Sequence, residues 1–304
     1  MARQMTSEEI LAELGAEDDG FLTRPIGPWT LEKLAVLLLY IRGFADACHK
    51  AGGGYYVDGL AGPGLCEVRN AQVEPRFVAG SPLIALNTPD LQHCVLMEMG
   101  EQEEAVLRQR AEPFGDRVTV RHGDVNRDLP ALIREVVHEK APCFCLLDPE
   151  AAELHWDTIS EIANTPARRN KPELLILFPL EMSIIRQFPT GASLDSGARE
   201  RHNRTFGNSH WEAIYERRLV GQLTPGEAKS EYLGLYKDGL ELLGYRHVMT
   251  KPILAPPTAK RGRQERYHLM FATDDDTGEK IMSHVFKRHY DLGLISGGQK
   301  ELGI

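Results

Sequence analysis

Apolar residues in this chain fall into short continuous runs that alternate with amphipathic segments. The runs at residues 55–57, 93–98, 143–148 and 173–179 are mostly apolar, and residues 117–124 alternate between polar and apolar positions. Strands in the middle of a parallel sheet need continuous apolar runs because helices cover both of their faces. We therefore predict an α/β fold with a single doubly wound, mostly parallel, Rossmann-like sheet of about seven strands and helices on both faces.

The patterns at the two ends of the chain complete this prediction. An apolar stripe with a period of about 3.6 residues predicts a long helix from residue 29 or 30 to residue 49. Residues 246–254 and 266–273 have the pattern of two late strands, which we expect to form an antiparallel hairpin that closes the sheet. We predict a flexible leader over residues 1–28 and one domain over residues 29–304, since no internal repeat divides the chain.

Two helix starts carry recognisable capping signals. Ser81 precedes Pro82, which suits an N-cap followed by proline at the first helical position. Thr224 is followed by Pro225 and, three positions after the threonine, by Glu227, which together form a capping box.

The segment 183–222 mixes arginines with Phe188, Phe206, Trp211 and Tyr215. Such a mixture is typical of surfaces that hold a polynucleotide, and it also suits a lid whose aromatic residues belong to the core. We expect this segment to be a lid or a substrate-binding insertion within the domain.

The stretch GGGYYVDGLAGPGLC at residues 52–66 combines a short strand with a tight turn. Asp58 lies at the carboxyl end of the strand, and Gly62-Pro63-Gly64 forces the turn. In doubly wound sheets ligands bind outside the carboxyl ends of the strands, and glycines let the backbone approach the ligand. The stretch predicts a nucleotide site, and an ordinary strand-to-loop turn is the alternative.

Acidic residues stand at the ends of four successive predicted strands: Asp58, Glu98, Asp124 and Asp148. A carboxylate at the tip of the second strand suits a ribose, because it accepts hydrogen bonds from both ribose hydroxyls. The sequence has neither the G-x-G-x-x-G nor the G-x-x-x-x-G-K-[ST] pattern, which argues against a dinucleotide dehydrogenase and a P-loop NTPase.

This order of strand-end acids resembles the class I S-adenosylmethionine-dependent methyltransferases. The resemblance implies S-adenosyl-L-methionine as the cofactor. In that superfamily the first-strand loop lies under the methionine part, the second-strand acid holds the ribose, the third-strand acid reaches the adenine amino group, and the fourth-strand end faces the methyl acceptor. The implied cofactor-binding residues are Asp58, Gly59, Leu60, Ala61, Gly62, Gly64, Glu98, Asp124 and Val125, and the implied catalytic residues are Asp148 and Pro149.

Four motifs narrow the resemblance further. The combination of YVDGLAGPG, GSPLIAL, LLDP and YHLMFATDDDTGEKIM is similar to the three-Cys-motif partner proteins. The loop sequence DGLAGPG also resembles the D-x-F-A-G-x-G form of DNA and RNA methyltransferases, which implies a nucleic-acid substrate. The chain reads Asp148-Pro149-Glu150-Ala151 where amino-methylating enzymes have Asp or Asn followed by Pro-Pro-aromatic. Asp148 is therefore either the acceptor-binding acid or a helix cap.

The stacking aromatic residue of the amino-methylating motif is missing from this position. We expect Phe178, Trp156 or His155 to replace it from a neighbouring loop.

The formal net charge of -9 is unevenly distributed. Residues 1–150 hold 14 Lys and Arg against 24 Asp and Glu, whereas residues 151–304 hold 21 against 20. Within the second half, the connection APPTAKRGRQE places Lys260, Arg261 and Arg263 together, and we predict that they bind the substrate. A solvated surface is the alternative.

Composition excludes several other classes of protein. The five cysteines are an odd number without a CxxC pair, so they support neither a disulfide framework nor a zinc site, and we predict no metal. No apolar run reaches the length of a membrane span, and the first residues lack the apolar core of a signal peptide. We expect a cytoplasmic protein without a membrane partner.

The sequence is therefore compatible with two functions. The first is an S-adenosylmethionine-dependent methyltransferase that acts on an amino group or similar nucleophile of RNA or DNA. The second is a non-catalytic module that binds S-adenosylmethionine or another nucleotide and works with a partner protein.

Overall fold

A computed structural model describes residues 5–69, 74–165, 171–188, 194–255 and 264–288. The strands are β1 (Arg24–Ile26), β2 (Gly54–Asp58), β3 (Leu65–Val68), β4 (Phe77–Ala79), β5 (Leu91–Glu98), β6 (Val118–His122), β7 (Cys143–Leu147), β8 (Glu173–Phe178), β9 (His247–Ala255) and β10 (Gln264–Thr273). The α-helices are α1 (Ser7–Leu14), α2 (Thr30–Cys48), α3 (Ser81–Leu86), α4 (Glu101–Ala111), α5 (Val125–Val136), α6 (Trp156–Ala163), α7 (Ser196–Phe206), α8 (His210–Leu219), α9 (Pro225–Leu242) and α10 (Asp276–Phe286).

The main sheet has seven strands in the order β6-β5-β2-β7-β8-β10-β9. The first five of these are parallel to one another, and β10 runs antiparallel to both β8 and β9. The predicted doubly wound, mostly parallel sheet with a late antiparallel hairpin is confirmed. Its strand order places the carboxyl ends of β6, β5, β2, β7 and β8 side by side at one edge.

Helices cover both faces of this sheet. Successive residues of a strand point to opposite sides, so each central strand contributes side chains to both cores. Tyr56 of β2 belongs to one core cluster, with residues of α2 and α10. Its neighbour Val57 belongs to the other cluster, with residues of α5, α6 and α9. Both residues are fully buried, which explains why the central strands are apolar without alternation.

The expectation of a flexible leader over residues 1–28 is corrected by the packing of α1. This helix begins with a capping box at Thr6, and its residues Ile10 and Leu14 are fully buried in the core. Further along, β1 pairs with β3 and so joins a second, three-stranded sheet of order β1-β3-β4. Apolar burial and strand pairing therefore attach the described part of the leader to the domain.

The segment 183–222 forms α7 and α8, and its aromatic residues lie inward. Phe206, Trp211 and Tyr215 are buried, and the half-buried ring of Phe188 lies 5.8 Å from that of Trp211. These rings pack in the core and do not offer a face to a nucleic acid. The role of the segment as a lid stays a prediction.

The two predicted helix starts have different outcomes. The capping box of Thr224 and Glu227 is present at the start of α9, as predicted. In contrast, Ser81 is not an N-cap: α3 already includes it, and Gly80 is the cap. The Ser81 hydroxyl hydrogen-bonds to Asp58 instead, so this residue serves the strand end and not the helix.

Candidate functional site

The loop after β2 is fixed to the strands on both sides of it. The Gly59 N–H donates to the Leu146 carbonyl of β7 at 3.1 Å, and the Ala61 N–H donates to the Met97 carbonyl of β5 at 2.9 Å. At Gly59 a Cβ atom would lie 2.8 Å from the Leu129 side chain, which is closer than real Cβ atoms approach. These contacts hold the loop in one position, across the carboxyl ends of three neighbouring strands.

The turn itself depends on two glycines in the left-handed region. Gly62 has φ +64° and Gly64 has φ +96°, which side chains other than glycine rarely adopt. The Gly62 N–H donates to Glu98 Oε2 at 2.7 Å, so the turn is tied to the end of β5. The turn thus has backbone without side chains at these two positions, both of which are buried.

Asp58 is a fully buried carboxyl group at the start of this loop. The Tyr56 hydroxyl donates to its Oδ2 at 2.8 Å, and the Leu60 N–H donates to its Oδ1 at 3.3 Å. Burial raises the pKa of Asp58 to about 6; the hydroxyls of Ser81 and Tyr56 lower this pKa, whereas the charge of Asp148 raises it. A buried acid with a raised pKa at a strand end is typical of functional sites.

Glu98 links the glycine turn to the start of α4. Its Oε2 accepts from Gly62 N–H, and its Oε1 accepts from Met99 N–H at 2.9 Å and Gly100 N–H at 2.8 Å. A carboxylate offers about four acceptor positions, so about one remains. A sugar bound by both hydroxyls would therefore replace one of these backbone donors.

Asp124 and Val125 lie at the next strand end and begin α5. The Asp124 Oδ1 accepts from Asn126 N–H at 2.7 Å, which makes the residue the N-cap of the helix. The Gly123 N–H donates to the Glu98 carbonyl at 3.1 Å, which holds the ends of β5 and β6 together. Asp124 is half-buried and Val125 is buried, so only the acid is partly accessible to solvent.

Asp148 forms an ion pair with Lys33 of α2. The two side chains are only 10% and 12% exposed, so this is a largely buried pair. Asp148 does not cap α6, whose N-cap is His155, and the capping interpretation is therefore wrong. Pro149 is buried directly after it. Lys33 could not be identified from the sequence, since it looks like any polar position on an amphipathic helix.

One cavity joins the glycine loop to this ion pair. Its lining includes Arg24, Thr30 and Lys33 from the amino-terminal part of the chain, Leu60 and Ala61 from the loop, and Asp148 from the end of β7. The structure thus brings three predicted cofactor-binding residues, Leu60, Ala61 and Gly64, and the predicted acceptor-side acid Asp148 to the same cavity, whereas the acids Asp58, Glu98 and Asp124 do not line it. Arg24 also pairs with Glu150 at 2.5 Å, which adds a second cation to this side of it.

Arg110 of α4 supports the loop from behind, and sequence analysis missed it. Its guanidinium donates to the Pro63 carbonyl at 2.6 Å and to the Leu22 carbonyl at 2.9 Å. It also makes two hydrogen bonds to Asp19, at 2.7 and 2.6 Å, and this contact lowers the pKa of that carboxyl group. A buried arginine with these partners fixes the glycine turn to the segment before β1.

The predicted replacements for a stacking aromatic residue are not all accessible. Phe178 is buried, and both Phe178 and Trp156 contact the ring of Tyr236, at 4.3 and 5.2 Å between centroids. His155 is half-buried, and its role as a replacement for the stacking aromatic residue stays a prediction.

The predicted substrate-binding residues Lys260, Arg261 and Arg263 lie outside the described residues. Within the described part of the chain, no helix combines the length and the apolar character that a membrane span requires.

Comparisons with known proteins give structural likeness only. No protein-family model matches the sequence, and a search of curated proteins gives no match. Protein LPL1258 from Legionella pneumophila has a TM-score of 0.49 at 12% identity, with 83% of this chain and 89% of that chain covered. The METTL16 MTase domain has a TM-score of 0.45 at 12% identity, with 89% and 81% covered.

A third similar structure is the precorrin-6y C5,15-methyltransferase from Geobacter metallireducens. It has a TM-score of 0.42 at 12% identity, with 86% of this chain and 96% of that chain covered. The solved structures similar to this chain thus include methyltransferases, and the Rossmann-like fold itself is established by the strand order of its own sheet.

Proposed function

We propose that this protein is an S-adenosylmethionine-dependent methyltransferase that acts on an amino group or similar nucleophile of a nucleic acid. The observation that supports this best is the meeting of Asp58, Glu98 and Asp124 at the ends of three adjacent strands. A glycine turn lies between them, and the cavity beside that turn continues to Asp148.

The residues at this edge fit the cofactor chemically. Gly64 leaves backbone without a side chain beside the cavity, so a ligand can approach closely. Glu98 has about one acceptor position left and gains a second if the Gly62 N–H is displaced by a ribose hydroxyl. Asp124 is placed at the next strand end, where the resemblance to methyltransferases implies contact with the adenine amino group.

The chemistry that the bound cofactor supplies is a methyl group on a sulfonium centre. The protein has to hold the acceptor in line with that group, and positioning together with electrostatics provides most of the catalysis. Asp148 can accept a hydrogen bond from an acceptor amine while Lys33 holds its carboxyl group in place. The Pro149 carbonyl is the second acceptor in this proposal.

The nucleic-acid substrate is the finer part of the proposal. It is supported by the DGLAGPG loop and by the basic connection that contains Lys260, Arg261 and Arg263. The substrate surface does not involve the buried aromatic residues of α7 and α8.

A non-catalytic module that works with a partner protein is the second candidate. Two observations favour it: Asp148 is already bound to Lys33, and the residues after Asp148 differ from those of amino-methylating enzymes. The similarity to three-Cys-motif partner proteins is consistent with such a partner.

Two measurements test the proposal in order. Calorimetry and thermal denaturation with S-adenosylmethionine and S-adenosylhomocysteine test cofactor binding, since a ligand that binds only the folded state raises the melting temperature. If neither compound binds, the methyltransferase and a module that binds S-adenosylmethionine are both wrong. Transfer of labelled methyl groups onto tRNA, rRNA and DNA then separates the enzyme from the binding module.

A further inference from the structure

A second cluster of ionisable side chains lies beyond the end of β8, outside the cavity described above. Glu181 belongs to a π-helical turn, Leu180–Ile184, that follows this strand. His268 of β10 is paired with Phe178, the last residue of β8, and Glu265 lies three residues before it. Single π-helical turns occur frequently at functional sites.

Two buried polar atoms of the cluster, Glu181 Oε2 and His268 Nδ1, make no hydrogen bond within the described residues. The other buried carboxylate atoms, Glu181 Oε1 and Glu265 Oε2, contact only the ammonium group of Lys229. His268 is only 4% exposed. The His268 nitrogens lie 3.6 Å from Glu181 Oε2 and 3.9 Å from Glu265 Oε2, which is longer than a hydrogen bond. Buried polar groups are rarely left without a partner, and an ion is one common explanation.

The spacing of these atoms suits a single metal ion. One ligand atom each from Glu181, Glu265 and His268 lies within 4.8 Å of the other two. Ligand atoms at about 2.1 Å from one ion are at most about 4.2 Å apart, so small side-chain rotations would bring them into range. From this geometry we infer that Glu181, Glu265 and His268 form a binding site for a divalent transition-metal ion.

The ligand types indicate which ions fit. An imidazole nitrogen favours zinc, iron and similar metals, whereas carboxylates also accept manganese. Magnesium and calcium prefer oxygen ligands, so a site with a histidine selects against them. Mn²⁺ and Zn²⁺ are therefore the appropriate probes.

Lys229 of α9 is the competitor for this site. Its ammonium group contacts Oε1 of Glu181 and Oε2 of Glu265. One ammonium balances only one of the two carboxylates, whereas a divalent ion balances both. The lysine side chain is 21% exposed, so it can withdraw towards solvent when an ion enters.

The cluster follows β8, and Asp148 follows the neighbouring strand β7. The metal would thus lie at the end of the strand next to β7, whose end the proposed function assigns to the methyl acceptor. The inference does not depend on that function, because metal binding is measured without cofactor or acceptor.

Direct titration tests the site. The full chain is stripped of metal with a chelator, dialysed and titrated with Mn²⁺, Zn²⁺ or Mg²⁺ by calorimetry, and bound Mn²⁺ is followed by electron paramagnetic resonance. We expect one Mn²⁺ or Zn²⁺ per chain and much weaker binding of Mg²⁺. His268→Gln and Glu181→Gln should each weaken binding by at least about tenfold, whereas the exposed His210→Gln should not change it.

The Lys229→Met variant should change the metal affinity in the opposite direction, so the site can still be tested if a ligand variant fails to fold. Removal of the competing charge should tighten Mn²⁺ and Zn²⁺ binding by about tenfold or more. Absence of binding to both the wild type and Lys229→Met would overturn the inference, and so would binding that persists in folded His268→Gln and Glu181→Gln proteins.

Discussion

Replacement of Asp58 by asparagine should stabilise the folded protein at pH 7, although the residue lies in the candidate cofactor site. The Asp58 carboxyl group is fully buried, and burial raises its pKa from 3.8 to about 6. An asparagine keeps an oxygen that can accept from the Tyr56 hydroxyl and carries no charge. The variant therefore removes the unfavourable burial of a charge and retains most of the packing.

The sign and size follow from proton binding. Between about pH 4 and pH 6 the folded state binds more protons at Asp58 than the unfolded state, so the free energy of unfolding falls as pH rises through this window. A pKa difference of about two units corresponds to about 3 kcal/mol. Because asparagine has one side-chain oxygen, the Leu60 N–H loses its acceptor when that oxygen faces Tyr56, and we expect a net gain of about 1–3 kcal/mol at pH 7 and little change at pH 4.

Urea unfolding of the wild type and Asp58→Asn at several pH values between 4 and 7.5 measures this difference. Asp238→Asn, at an exposed position of α9, is the matched control and should leave the pH dependence unchanged. Glu173 contributes separately to the pH dependence of stability. Burial raises its pKa to about 7, so Glu173→Gln should remove the part of the fall in the free energy of unfolding that occurs between about pH 4.5 and pH 7.

An Asp58→Asn stability difference that is equal at pH 4 and at pH 7.5 would refute the reasoning, because a raised carboxyl pKa requires the difference to grow with pH. If the proposed function is correct, the more stable variant should also bind S-adenosylmethionine more weakly. Such an exchange of stability for binding is common at functional sites.

Three further predictions concern the loop and the ion pair. Glu98→Gln should weaken S-adenosylmethionine binding by about 1–3 kcal/mol in calorimetry while the fold is kept, and unchanged affinity would remove Glu98 from the site. Lys33→Met should destabilise the protein by about 3–5 kcal/mol in urea unfolding, since it leaves Asp148 buried and unpaired. The additional change Asp148→Leu should recover most of this loss, and additive effects of the two changes would contradict a coupled pair. Gly62→Val should lower stability by at least about 1–2 kcal/mol because of its positive φ, whereas Gly226→Ala, with nothing within 4 Å, should not.

The positions of the main-sheet strands and the late antiparallel hairpin could be predicted from the sequence, whereas the three-stranded sheet β1-β3-β4 was not predicted. Central strands such as β7 are recognisable because burial on both faces demands continuous apolar residues, and this requirement is local. The same holds for the acids at strand ends: Asp58 and Glu98 follow directly from the position of each strand, and the parallel order brings them to one edge.

The partners of these residues depended on the tertiary structure. Lys33 and Asp148 are separated by 115 positions, and nothing in the local pattern of α2 distinguishes this lysine from a solvent-exposed one. Arg110 looked like part of a charged helix surface, yet it is buried against the Pro63 carbonyl. Ser81 had the local features of a cap, but α3 begins one residue earlier than predicted, and the Ser81 side chain hydrogen-bonds to the buried Asp58.

The cluster at the end of β8 could likewise not be predicted from the sequence. Glu181 and His268 meet because β10 runs antiparallel beside β8, and this pairing joins residues that are distant in the sequence. Hydrophobic periodicity determines which segments become strands and which face of each is buried. Which polar side chains meet is decided by strand order and helix packing, because a polar contact needs only a few atoms and leaves no periodic trace in the sequence.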